Sequence, residues 1–206
     1  MKRNFLHLAL FFLTFFSTFA QDDTYLVASI SPELKENANA VARLRQRDIN
    51  ITSRKSMTIL TKDVVTVLNQ KGLSNVGASE YFDKSTKIKS IEAVILNAFG
   101  KEIKKIKRKD FVENSLSQGS IITDGKILYM NYTPTEYPFT VIFQSEIESS
   151  NTAFIPAWNA IQSSYEGIEK ATLSISSLPE LNFKYKEFNI DGNQNIVKEE
   201  KPNGVS

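Results

Sequence analysis

Apolar and polar positions alternate along most of this chain with the period of a β-strand, and the clearest case runs from Gly125 to Glu148. In Phe139–Ile147, Val141, Phe143 and Ile147 fall on one face and Thr140, Gln144 and Glu146 on the other, as in a half-buried strand. Ile142 is the one apolar residue on the outer face. Ile127–Tyr132 is apolar on both faces, which predicts a strand in the middle of a sheet. The two segments are predicted to pair as antiparallel neighbours across a corner set by Pro134 and Pro138.

Val41–Thr52 and Met57–Asn69 are rich in β-branched residues and are joined at Ser53-Arg54-Lys55-Ser56, a turn short enough for a hairpin. Gly72 closes the second strand as a residue able to take positive φ. Further strands are predicted at Ser79–Asp83, Ile88–Leu96, Ile168–Ser176 and Asn182–Asp191, with a turn at Asn97-Ala98-Phe99-Gly100. Lys101–Asp110, basic at six positions, suits a short helix with an inward apolar edge or an edge strand guarded by lysines. Phe111–Asp124 reads as a loop, and Phe154–Trp158 as an apolar knot around the only tryptophan. Ser31-Pro32-Glu33 predicts a short helix near the start. The whole is an all-β pattern with minor α: an antiparallel β-sandwich or strongly curved sheet of about eight or nine strands, with a short N-terminal helix.

The start of the chain has a different character. Lys2 and Arg3 precede the almost wholly apolar Phe5–Phe16, and Thr18-Phe19-Ala20 supplies the small residues of a cleavage site. Residues 1–20 therefore read as a signal peptide cut after Ala20, and the apolar stretch is shorter than the roughly 20 residues that span a bilayer. The expected organisation is a segment with the short helix over 21–40, a β-sandwich-like domain over 41–191 and a polar tail over 192–206, read as a possible truncated continuation. The expected location is periplasmic or extracellular.

Export changes the available chemistry, because His7 is the only histidine and there is no cysteine. A mature chain without either residue has no nucleophile–histidine pair, no zinc or haem site built on His or Cys, and no disulfide. Loss of Lys2 and Arg3 leaves 23 basic against 23 acidic residues, so the overall charge points to no nucleic-acid partner. No phosphate-cradling glycine loop or dinucleotide fingerprint occurs, and no cofactor is expected. Glu146 and Glu148 share a strand face and form the one carboxylate pair with glycosidase-like spacing, but a solvated outer face accounts for them. Lys101–Asp110 offers an anion-binding patch, or simply a solvated run of charge. The candidate binding surface is aromatic: Tyr129, Tyr132, Tyr137 and Trp158, which either present flat faces to a glycan or peptide or pack around the proline corner.

Ala40-Val41, Val64–Gly72 (VVTVLNQKG), Tyr81–Ile88 (YFDKSTKI), Asn97–Ile103, Tyr132-Thr133-Pro134 and Tyr137-Pro138 together resemble the family known as domain of unknown function 3857, over about Asn37–Asp191. The resemblance implies a β-rich domain of exported Gram-negative proteins that precedes a transglutaminase-like domain, itself related to papain-like cysteine peptidases. It carries over no catalytic residue, because the Cys, His and Asp of the companion domain match no position here. The implied role is a non-catalytic accessory module that binds a transglutaminase- or peptidase-like domain, in cis or in trans, or its substrate. The alternative is a self-standing domain that binds carbohydrate or peptidoglycan.

Overall fold

The computed structural model describes residues 25–117, 123–186 and 188, together with two short strands at 200–201 and 204–205. The signal-peptide reading of residues 1–20, most of the polar tail and the last residues of the strand expected at Asn182–Asp191 lie outside these. The described part of that last segment, 182–186 and 188, is not a strand.

The fold is all-β. Ten strands are β1 (Ala40–Ser53), β2 (Ser56–Val67), β3 (Ser79–Phe82), β4 (Thr86–Asn97), β5 (Glu102–Lys107), β6 (Val112–Ser115), β7 (Lys126–Tyr129), β8 (Phe139–Ser149), β9 (Glu166–Ile168) and β10 (Ala171–Ser177). A two-residue ladder joins β11 (Glu200–Lys201) to β12 (Gly204–Val205). Seven strands form one sheet in the order β10-β1-β2-β8-β4-β5, with β9 also on β1. A small second sheet has the order β3-β7-β6.

The hairpin β1–β2 and the strand β4 form where their β-branched alternation places them. Lys101–Asp110 resolves as the edge strand β5 followed by a 3-10 turn, Arg108–Asp110, which fits the protection that lysines give an open edge. In a strand, Ile103 and Ile106 point to opposite faces, and only Ile106 is buried.

Several expectations are corrected. β7 and β8 do not pair: β8 lies between β2 and β4 in the large sheet, while β7 is the middle strand of the small one. The nine residues from Met130 to Pro138, with a cis Tyr137–Pro138 peptide, carry the chain from one sheet to the other. The expected loop after Phe111 contains β6, whose polar sequence VENS suits an exposed edge strand. The architecture is not purely antiparallel, because β9 and β10 run parallel to β1. They can do so because the long irregular stretch after β8 provides the crossover that a parallel pair requires.

Gly72 does not take positive φ; that conformation belongs to Gly100, in the predicted β4–β5 turn. Gly72 is needed for close approach instead, since a Cβ there would sit 2.1 Å from the Asn39 carbonyl oxygen. The predicted N-terminal helix is α1, Pro32–Lys35.

The small sheet covers one face of the large one. Between them lies a cluster that includes Val65, Val67, Ala93, Ile95, Phe139, Val141 and Phe143 from the large sheet and Ala78 and Leu128 from the other side. A second, smaller cluster of Ile49, Ile51, Met57, Ile59 and Ile147 continues the same face toward the far ends of β1, β2 and β8.

Candidate functional site

Between the two clusters the inner face becomes polar at the same level on three adjacent strands. A bulge in β1 between Ala42 and Leu44 puts Ala42 and Arg45 in one inward phase, which continues through Arg47, Ile49 and Ile51. Register then aligns Arg45 with Asp63 and Phe143, and Arg47 with Thr61 and Ser145. A charged and hydroxylated belt therefore crosses the middle of an otherwise apolar face.

Each belt residue is positioned by a different element. Arg45 makes a two-pronged ion pair with Glu166 of β9, at 2.8 and 2.6 Å, with side chains 1% and 0% exposed. Arg45 also donates to the Ala160 carbonyl at 2.8 Å, so it anchors the crossover on the sheet. The bulged Arg43 instead bonds Glu169, the Leu26 carbonyl and Ser29, and so ties the N-terminal segment down. From the small sheet, Glu80 of β3 accepts a hydrogen bond from Ser145 at 2.5 Å.

Burial pushes the Asp63 carboxyl above the usual carboxylate range, against the opposing pull of Arg45 and Arg47. Burial also raises Glu80, opposed by the Ser145 bond and by Arg47 and reinforced by the Asp63 charge. The belt thus holds two acids shifted toward their neutral forms beside two guanidinium groups.

On the side of the belt away from the main cluster, the sheets part around a cleft of about 480 Å³. Its floor includes Met57, Ile59 and Ile147; one wall is β3, and another comes from Phe154, Pro156 and Ala157. Arg47 and Thr61 line it, and Arg47 Nε and Thr61 Oγ1 are buried without a hydrogen-bond partner, although Thr61 is only 6% exposed. Buried polar atoms are nearly always satisfied, so two orphans facing one cleft mark a place where another molecule can supply partners. The polar groups offered include the Arg47 guanidinium, the Thr61 hydroxyl and the Glu80 and Asp83 carboxyls, suited to hydrogen-bonding a polar ligand. Beyond His7 the sequence has no histidine or cysteine to activate a nucleophile.

The predicted aromatic residues are distributed otherwise. Tyr132 and Tyr137 both pack on Phe139, with ring centroids 5.7 and 5.6 Å away, at the edge of the larger cluster. Burial raises the Tyr132 hydroxyl above its usual range, with the Glu136 charge adding to it, and Lys104 Nζ lies 5.4 Å from the Tyr132 ring centroid. Tyr129 is on β7, paired with Ser79 and Val112, and its hydroxyl accepts from Asn114 at 3.4 Å. Trp158 is half-buried on the crossover after β8.

Glu146 and Glu148 lie on the outer face, where Glu148 pairs with Lys89 at 3.1 Å, and neither lines the cleft. In the basic edge strand, Lys105 pairs with Glu92 at 3.0 Å. The belt residues were missed from sequence. The available signal was Arg45 and Arg47 in the same period-two phase as Ile49 and Ile51, and Ser145 between Phe143 and Ile147.

Comparison with curated proteins finds no match. Among solved structures, the chain is similar to one described as a "putative protease" from Parabacteroides distasonis ATCC 8503, at 13% identity and a TM-score of 0.47. That similarity covers 69% of this chain and 29% of the other, so the chain spans less than a third of that protein. Residues 53–204 match the family model described as a domain of unknown function with a solved structure, so β2 onward carries the match, and the chain belongs to the DUF3857 family.

Proposed function

We propose that this protein is a non-catalytic, exported accessory module that acts by binding: it docks onto a transglutaminase- or peptidase-like domain, in cis or in trans, or presents substrate to it. The observation that carries this reading is the cleft between the sheets, where Arg47 Nε and Thr61 Oγ1 are buried without partners beside an apolar floor. A site of this kind binds a polar group with an apolar neighbour. Membership of the DUF3857 family and the absence of histidine and cysteine beyond His7 are consistent with a role in recognition. The signal-like segment at residues 1–20 supports export, and no helix among the described residues is long and apolar enough to cross a membrane.

The test is deletion of the module from a relative that also carries a transglutaminase-like domain. The expected result is a narrowed substrate range or a displaced protein, with the catalytic residues of the companion domain intact. Unchanged stability, localisation and substrate range would remove the accessory role.

A further inference from the structure

The cleft is bordered by an unpaired strand edge. β3 is terminal in the small sheet and pairs only with β7. The Met130 N–H donates to the Ala78 carbonyl at 2.9 Å, which sets the phase of that ladder. Because alternate residues of an antiparallel pair exchange bonds, Ala78, Glu80 and Phe82 bond toward β7, while Ser79 and Tyr81 turn their N–H and C=O groups to the opposite edge. There the Ser79 N–H is taken by the Gly77 carbonyl at 2.8 Å. The Ser79 carbonyl and both backbone groups of Tyr81 are left to bond whatever lies alongside. All four residues of β3 line the cleft.

Across from that edge, the large sheet offers two different surfaces at a two-residue spacing. Ile59, with Met57 and Ile147, is apolar and buried. Thr61, with Arg47 beside it in register, is polar and incompletely satisfied. Arg47 donates to the Ala157 carbonyl at 3.3 Å, and none of the ion pairs among the described residues includes it. Its charge bears on Asp63 and Glu80, both held toward their neutral forms by burial, and Glu80 and Asp83 line the same cleft, so the site presents a guanidinium without a carboxylate in direct contact, beside an unpaired strand edge.

We propose that the cleft takes an extended peptide as an added strand on the free edge of β3, with an apolar side chain against Met57, Ile59 and Ile147 and an acidic side chain two residues away on Arg47 and Thr61. Strand addition supplies the main-chain bonds, and inward side chains recur every second residue, as the Ile59–Thr61 step requires. The acidic group meets a guanidinium whose Nε is already out of water, which favours a charge-assisted bond. The inference rests on the binding role proposed above and names its ligand class.

Four blocked peptides test it by calorimetric titration of the whole chain. The first is acetyl-Thr-Ile-Thr-Glu-Thr-amide, the second has Gln in place of Glu, and the last two are N-methylated at alternate residues in the two possible phases. The Glu peptide is expected to bind about tenfold or more tightly than the Gln peptide, the scale of one hydrogen bond to a charged group. Arg47→Met should erase that preference. One N-methyl phase should abolish binding and the other spare it, because only one side of an added strand bonds β3; this readout needs no change in the protein. No binding at millimolar peptide, equal binding of both N-methylated forms, or a Glu preference that survives Arg47→Met would each overturn the proposal. If these peptides fail while deletion of the module still alters a full-length relative, the peptide site alone falls; an inert deletion removes the accessory role itself.

Discussion

The two ends of the inner face are built on one strand alternation and finished differently. Toward Phe139 the inward positions are apolar on three neighbouring strands, at Val65, Val67, Val141 and Ile95, and the small sheet closes over them with Ala78 and Leu128. Toward Ser149 the floor is still apolar, but the belt of Arg45, Arg47, Thr61, Asp63 and Ser145 lies between, and the cover gives way to a cleft. An apolar cover can seal an apolar floor, whereas a charge on the inner face needs a partner or contact with water. Arg45 has one in Glu166, and Arg47 has none among the ion pairs of the described residues. Both guanidinium groups keep an Nε without a hydrogen-bond partner, so what separates the part of the belt that holds the fold together from the part that is open to a ligand is the ion pair.

The strongest way to break the contrast is at its ion-paired end. Glu166→Leu leaves the Arg45 guanidinium buried and unpaired, and should cost about 3–5 kcal/mol. Adding Arg45→Met removes the stranded charge and should restore most of that loss. Denaturant midpoints of the two single variants and the double variant measure the coupling. A Glu166→Leu loss below ~1 kcal/mol, on the scale of an exposed surface pair, would show that the pair does not anchor β9.

A smaller effect compares like with like across the two ends. Ile95 is fully buried in the covered cluster, and Ile59 is 4% exposed in the floor of the cleft. Both truncations to alanine remove the same atoms, but the cost of such a change depends on how well the site can refill. Ile95→Ala should cost about 4 kcal/mol and Ile59→Ala about 2 kcal/mol, within the range seen for buried aliphatic truncations. Equal losses in equilibrium unfolding would mean that the cleft is as tightly packed as the core.

Strand existence was legible in the sequence wherever one face is solvated, as in β4 and β8, because burial on one side imposes period two. Partnership was less legible. Ile127–Tyr132 and Phe139–Ile147 lie close in sequence and look like a hairpin, yet the segment between them holds two prolines and crosses between sheets. β6 was read as a loop since its only apolar residue is Val112, and an edge strand of a small sheet has little face to bury. The belt was hidden for a different reason. An inward-facing arginine reads from sequence as a solvent-facing one, and what turns Arg45 and Arg47 to the inner face is the β1 bulge together with the register that sets Asp63, Thr61 and Ser145 beside them. Glu166 is more than a hundred residues away and arrives by the parallel crossover, which no local pattern announces.

The finest probe of the belt is its response to pH. Glu80 has a carboxyl held above its ordinary 4.5 by burial, so the folded state keeps a proton that the unfolded state releases. Over that window the native state binds more protons, and stability falls as pH rises from about the unfolded value toward the folded one. Asp63 is raised in the same direction from 3.8, whereas Asp83, outside the belt, is lowered by the Ser85 hydroxyl and by the Ser85 and Thr86 amides. The lowered group acts in reverse, contributing stability that is lost as pH drops below 3.8, so the raw profile of the protein mixes both signs. Glu80→Gln isolates one of them: the amide oxygen still accepts from Ser145, and the ionisation is gone. Relative to the unaltered protein, the variant should gain stability progressively as pH rises above 4.5, with the difference levelling off once native Glu80 is ionised. Guanidinium midpoints at half-unit steps from pH 4 to pH 8 would follow it. A constant difference across that range would place Glu80 in an environment no drier than the surface, and the belt would then end at Ser145.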